Sequence, residues 1–151
     1  MLRVLAVFAH PDDIEFRAAG TLLLLKDAGW QVHYWNLSNG NLGSAVLSKT
    51  RTASVREQEG RAAARQMGAI WHPPICGDLE ILYTVPLLRK VCAGVRAIEP
   101  DVILTHPPQD YMEDHMNTCR LTVSGAFARG IPNFRSMPHR RASLRPVTLY
   151  H

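Results

Sequence analysis

Short apolar blocks alternate along this chain with stretches whose apolar residues recur at helical spacing. The first block, Leu2–Ala9, contains Val4-Leu5-Ala6-Val7-Phe8-Ala9, the pattern of a strand buried on both faces. Ala18–Asp27 reads as a helix stopped by Gly29. Its run Leu22-Leu23-Leu24-Leu25 predicts an almost fully buried element. Gln31–Leu37 is a second strand, ending in the loop Ser38-Asn39-Gly40-Asn41. A long helix is expected over Thr52–Met67, with Ser54 and Glu57 as a capping-box pattern and Gly68 as terminator. Arg51, Arg56, Glu57, Glu59, Arg61 and Arg65 form its polar face.

A short strand at Ala69–Trp71 leads into a Pro-rich loop that ends at Gly77-Asp78. Thr84 and Pro86 open the next helix. Its Leu87, Leu88, Val91, Val95 and Ile98 share one face, and Pro100 closes it. Asp101–Thr105 is another buried strand, running into His106. A helix over about His115–Arg129 follows, and Val147–Tyr150 reads as a last strand. Trp30, Trp35 and Trp71 lie at or beside strands and are expected to pack.

Strand–helix alternation of this kind predicts an α/β fold with a largely parallel sheet. Ligands in such sheets bind beyond the carboxyl ends of the strands. His10, Asn39, Asp78 and His106 all follow strand-like segments, which assigns them to that edge.

Composition narrows the class. At 151 residues the chain is expected to be one domain with a real core, and 46% hydrophobic with 20% charged residues is ordinary for a globular protein. No apolar stretch approaches a membrane span. The N-terminal run is too short for a signal peptide and lacks a cleavage site, so a cytoplasmic protein without membrane contact is expected. Cys76, Cys92 and Cys119 form no CxxC and are expected to be reduced. The net charge of +4 owes much to Arg135, Arg140, Arg141 and Arg145. Without interleaved aromatics these read as a solvated loop, and nucleic acid is not the expected partner. No GxGxxG, P-loop or GxSxG is present, so nucleotide and serine-hydrolase chemistry have no support.

The informative chemistry sits after the first strand, in His10-Pro11-Asp12-Asp13. Adjacent turn residues point in different directions, so the two carboxylates take different tasks. His10 and Asp13 can converge on one ion while Asp12 leans over its open side as a base for bound water. A second cluster, His106 through His115, follows the strand Asp101–Thr105. His115 would complete a two-histidine, one-carboxylate set, and the adjacent Asp114 could orient an imidazole. Taken singly, each segment has a structural reading: a turn whose Asp caps the next helix, or a surface helix histidine. Both following strands in one small α/β chain favours the metal site.

The run Ala9-His10-Pro11-Asp12-Asp13-Ile14-Glu15-Phe16, then Gly20-Thr21-Leu22, and later Asp110-Tyr111-Met112-Glu113-Asp114-His115 resemble the LmbE-like (PIG-L) zinc-dependent N-acetylglucosaminyl deacetylases. Arg56-Glu57 with Ala62-Ala63-Ala64 and Gly68 also resembles that family's second helix. The resemblance covers most of the chain. It implies a Rossmann-like, three-layer αβα fold with a mostly parallel sheet, and removal of an N-acetyl or similar acyl group from an amino-sugar-like substrate. By motif, His10, Asp13 and His115 would hold zinc, with iron(II) or another divalent transition metal as alternatives, and Asp12 would be the general base. Arg56 and Asp78 are candidate substrate contacts. Arg56 reads equally as a solvated helix residue paired with Glu57 or Glu59, and Asp78 as a turn former. His106, Asp110 and Asp114 are further candidates for supporting contacts.

Two departures stand out. Family members often carry a histidine three residues before the last ligand, to polarise the acyl carbonyl. Met112 stands there and has no proton to donate. One lost oxyanion donor typically costs about 3 to 4 kcal/mol of transition-state stabilisation. His106 is a candidate substitute if its loop folds back. The chain also ends at Tyr150-His151, where relatives usually continue, so part of the substrate pocket is expected either to be absent or to be supplied by another subunit of a homo-oligomer. These departures motivate a second reading, a catalytically weak member that keeps the metal site as a binding or structural module.

Overall fold

The computed structural model describes all 151 residues. Its elements are β1 (Arg3–Phe8), α1 (Asp13–Arg17), α2 (Ala19–Asp27), β2 (Gln31–Asn36), α3 (Lys49–Gln66), β3 (Ile70–His72), α4 (Val85–Ile98), β4 (Val102–Thr105), α5 (Glu113–Ala128) and β5 (Thr148–Tyr150). The strands form one sheet in the order β3-β2-β1-β4-β5, every pair parallel. This is the expected α/β architecture. Strand order reverses at β1, because the chain builds outward through β2 and β3 before crossing back to β4. The crevice beyond the ends of β1 and β4 is therefore a topological switch point, where such sheets bind ligands.

The core follows from the period-two alternation of β1. Leu5, Val7 and Ala9 face Leu87, Val91, Val95 and Ile98 of α4 and Leu121 of α5. Val4, Ala6 and Phe8 face Ile14, Leu22, Ala64 and Met67 on the other side. Trp35 of β2 is buried, and Gly94 lets α4 approach it. A Cβ at Gly94 would stand 2.4 Å from the indole.

Two expectations need correction. Of the four consecutive leucines of α2 only Leu22 is fully buried, while Leu23 and Leu24 are 44% and 73% exposed. A helix on a sheet buries one stripe, and four residues in a row point to all sides. The long helix α3 starts at Lys49, capped by Ser48 Oγ accepting from Arg51 N at 3.3 Å. Ser54 and Glu57 therefore lie inside the helix and do not cap it. The Thr84 cap, with Pro86 in the first turn of α4, is as expected.

Not all the late arginines are solvated. Arg145 forks onto Asp101, with Nη2 2.8 and 3.0 Å from its two oxygens. Arg96, only 5% exposed, donates to the carbonyls of Ala128, Arg129, Ile131 and Arg140. It satisfies carbonyls at the α5 C-terminus, where the helix dipole favours a cation. All three cysteines are free, and no helix is long and apolar enough to cross a membrane.

Candidate metal centre

β1 ends at buried Ala9 and hands the chain to the His10–Asp13 turn. Asn36 Nδ2, at the end of neighbouring β2, donates to the His10 carbonyl at 2.5 Å. The Asp13 carboxylate turns back and accepts the His10 amide at 2.7 Å, which fixes it at the start of α1. Asp12 is forced into left-handed backbone, with φ of 105°, and its side chain swings outward.

Around Asp13 three imidazoles gather. Oδ2 lies 3.4 Å from His10 Nδ1 and 3.3 Å from His106 Nε2, and Oδ1 lies 3.4 Å from His115 Nε2. One donor atom each from His10, Asp13 and His115 falls within 4.8 Å of the others. The His10 and His115 rings are 5.3 Å apart, centre to centre. Two segments a hundred residues apart in sequence thus meet across the switch point, β1 supplying one and the loop after β4 the other.

The far sides of two of the imidazoles, His10 and His115, face an acid. His10 Nε2 lies 2.9 Å from Asp114 Oδ2, which also accepts the Leu79 amide at 2.8 Å. His115 Nδ1 lies 3.1 Å from Asp110 Oδ1, off the line of a well-formed hydrogen bond. Asp110 in turn faces Arg17 at 3.5 Å. Burial disfavours a charged His10, yet its contacts with Asp114 and Asp13 outweigh that and raise its pKa to about 9. Burial likewise opposes ionisation of Asp13, but its contacts with the His10 side chain and amide and with the nearby His106 imidazole keep it far below the usual carboxylate range.

His106 is the candidate the structure moves furthest. It is 0% exposed, its Nε2 accepts the Ala9 amide at 3.0 Å, and its ring stacks on His115 at 3.9 Å. Burial lowers its pKa. Lying beneath His115, it cannot reach an acyl group in the cleft, so it does not replace the donor missing at Met112. Asp78 is also committed: Oδ1 accepts from Ser38 Oγ at 2.7 Å and Oδ2 from the Leu42 amide at 2.9 Å, which holds the loop after β2.

Above the donors opens a cleft of about 490 Å³. Asp12, Asp13 and Asp78 line it, with His10, His115 and one arginine, Arg56. Leu42, Leu79, Tyr111 and Met112 supply its apolar wall. Sequence reasoning missed Arg17, Asn36 and the Leu79 amide. Each acts by reaching a site residue from another segment, and no local pattern marks such a contact.

Residues 5–126 match the PIG-L family model, described as GlcNAc-PI de-N-acetylase. The chain belongs to the PIG-L (LmbE-like) family. It is 29% identical to the diacetylchitobiose deacetylase of Thermococcus kodakarensis over 87% of its own length and 52% of that protein. It is 28% identical to the 4-oxalmesaconate hydratase of Pseudomonas putida over 74% of its length and 46% of that protein. The N,N'-diacetylchitobiose deacetylase structure from Pyrococcus horikoshii superimposes with a TM-score of 0.84 at 25% identity, covering 97% of this chain and 58% of that one. The chain thus spans about half the length of these curated relatives. PIG-L relatives therefore include N-acetyl deacetylases and a hydratase.

Proposed function

We propose that this PIG-L chain belongs to a metal-dependent hydrolase that removes an N-acetyl group from a small amino-sugar-like substrate. The observation that carries the reading is the convergence of His10, Asp13 and His115, with a second carboxylate, Asp12, at the mouth of the same cleft. The donor set fits a transition metal. Two imidazoles and a carboxylate suit zinc, or iron(II), better than calcium or magnesium. His10 Nδ1 and His115 Nε2 each stand 3.4 Å from an Asp13 oxygen, Oδ2 and Oδ1 respectively, close enough for the three residues to share one ion. His10 would offer Nδ1 and His115 Nε2, their other nitrogens facing Asp114 and Asp110.

Such an ion supplies Lewis acidity, lowering the pKa of water to about 7 and polarising the acyl oxygen. The remaining work falls to the protein. Asp12 takes a proton as water oxygen bonds to the acyl carbon. The same carboxyl returns that proton to the amide nitrogen as the C–N bond breaks, leaving acetate and an amine. Asp110 and Asp114 keep the imidazoles aimed. Met112 adds no hydrogen bond to the acyl oxygen, which makes a slow enzyme the second reading.

Amide hydrolysis is favoured over the hydration chemistry of the Pseudomonas relative by the charge of the cleft. Three aspartates line it, and its one arginine already faces Asp12 and Glu59. Beyond the ion itself, a multiply anionic substrate finds no unpaired basic side chain there, whereas an amine leaving as ammonium is well received. The test is acetate release from N-acetylglucosamine and diacetylchitobiose by zinc-loaded protein. Turnover that falls about 10²–10⁴-fold in Asp12→Ala is expected. Equal rates in the variant, or no acetate from either compound, would contradict the proposal.

A further inference from the structure

Arg56 is the one arginine lining the cleft, which has no lysine, and its guanidinium is spent on the turn beneath it. Nη2 stands 2.6 Å from Asp12 Oδ2 and also donates to the Pro11 carbonyl. Nη1 binds Glu59 Oε2 at 2.7 Å, three residues on along α3. Asp12 needs outside support. Its φ of 105° is disfavoured for a residue with a side chain, its carboxylate is 50% exposed, and it makes no capping bond to its own helix. Arg56 holds both parts that must stay still, backbone at Pro11 and carboxylate at Asp12. The loop after β2 closes the arrangement from outside. A Cβ on Gly40, whose φ is +70°, would stand 2.9 Å from Arg56 Cγ and 3.2 Å from the Pro11 ring.

We propose that Arg56 is a positioning residue: it clamps the strained turn so that Asp12 presents its other oxygen, Oδ1, to the cleft, and it does not bind substrate through its charge. The proposal rests on the reading of Asp12 as the base. A planar fork suits the task because two acceptors from successive residues and a third from α3 are met at once, which an ammonium on a flexible stem does poorly. It also separates the oxygens of Asp12, one tied down and one available for proton transfer.

The experiment compares zinc-loaded wild type with Arg56→Gln and Arg56→Lys, using acetate release from diacetylchitobiose. Arg56→Gln is expected to lower kcat at least tenfold with KM within about threefold, and Arg56→Lys to recover part of the loss. Zinc content should stay at the wild-type stoichiometry in both. In an Asp12→Asn background, Arg56→Gln should cost little more, because the group being positioned is already disabled. A KM rise of tenfold or more at unchanged kcat, or losses that multiply in the double variant, would overturn the proposal. If Asp12→Asn matches wild type, the reading of Asp12 as base fails instead. Hydrogen exchange in the peptide spanning residues 9–17 reads the clamp without turnover: at least fivefold faster exchange in Arg56→Gln supports it, and unchanged exchange sinks it.

Discussion

Asp110 and Asp114 sit one helical turn apart in sequence, and each reaches the far nitrogen of a different imidazole. Asp114 was expected to orient a histidine, and its neighbour His115 is the obvious choice from sequence. Successive helical residues point about 100° apart, so Asp114 turns away from His115 and reaches His10 across the switch point. Asp110, before the helix begins, takes His115. Carboxylates behind metal-binding histidines typically contribute 10–100-fold in metal affinity. Asp110→Asn and Asp114→Asn should each weaken zinc binding by that order in competition with a chromophoric chelator. Glu113→Gln, altering an exposed neighbour on the same turn, should leave affinity unchanged. Equal affinity in all three proteins would mean the two acids do not support the site.

At the scale of elements, strands and helices were legible where apolar periodicity was strong, and less so where one signal served two uses. The α4 stripe, with its Thr84 cap, emerged as read because amphipathic spacing and capping agree. The leucine run of α2 misled because composition reports burial only when spacing selects a face. A feature no pattern announced is the pairing of β2 with β3 through histidines. His33 Nδ1 and His72 Nε2 are 2.9 Å apart with stacked rings. Burial, then the neighbouring His72 and Arg3, lowers His33 to about 4, and burial lowers His72 as well. Below the ordinary histidine pKa of about 6.5 the unfolded chain takes up protons that this pair refuses. Its contribution to stability is therefore present above pH 6.5 and lost as pH falls from there toward about 4. Urea midpoints at pH 7.5, 6 and 5 should show that acid-side loss reduced in His33→Gln relative to wild type. An identical pH slope in both proteins would contradict it.

For the whole molecule, the strand order β3-β2-β1-β4-β5 turns two separate motifs into one centre. That both motifs follow strands was visible in sequence. That β1 and β4 are neighbours, with the chain reversing between them, was not, since strand order depends on long-range pairing that no local segment encodes. The family match and the superposition with a deacetylase agree with this fold. His106 illustrates the remaining gap. Its position after a strand marked it as a site residue, but only the packed sheet reveals that it lies under the centre and supports His115 from below. The central claim is that residues from both ends of this crossover bind a single ion. Anomalous scattering at the zinc absorption edge, from crystals grown with zinc, tests it most directly. The account predicts one strong peak about 2.0–2.2 Å from His10 Nδ1, an Asp13 oxygen and His115 Nε2. A peak bound elsewhere, or none at this cluster in zinc-replete crystals, would contradict it.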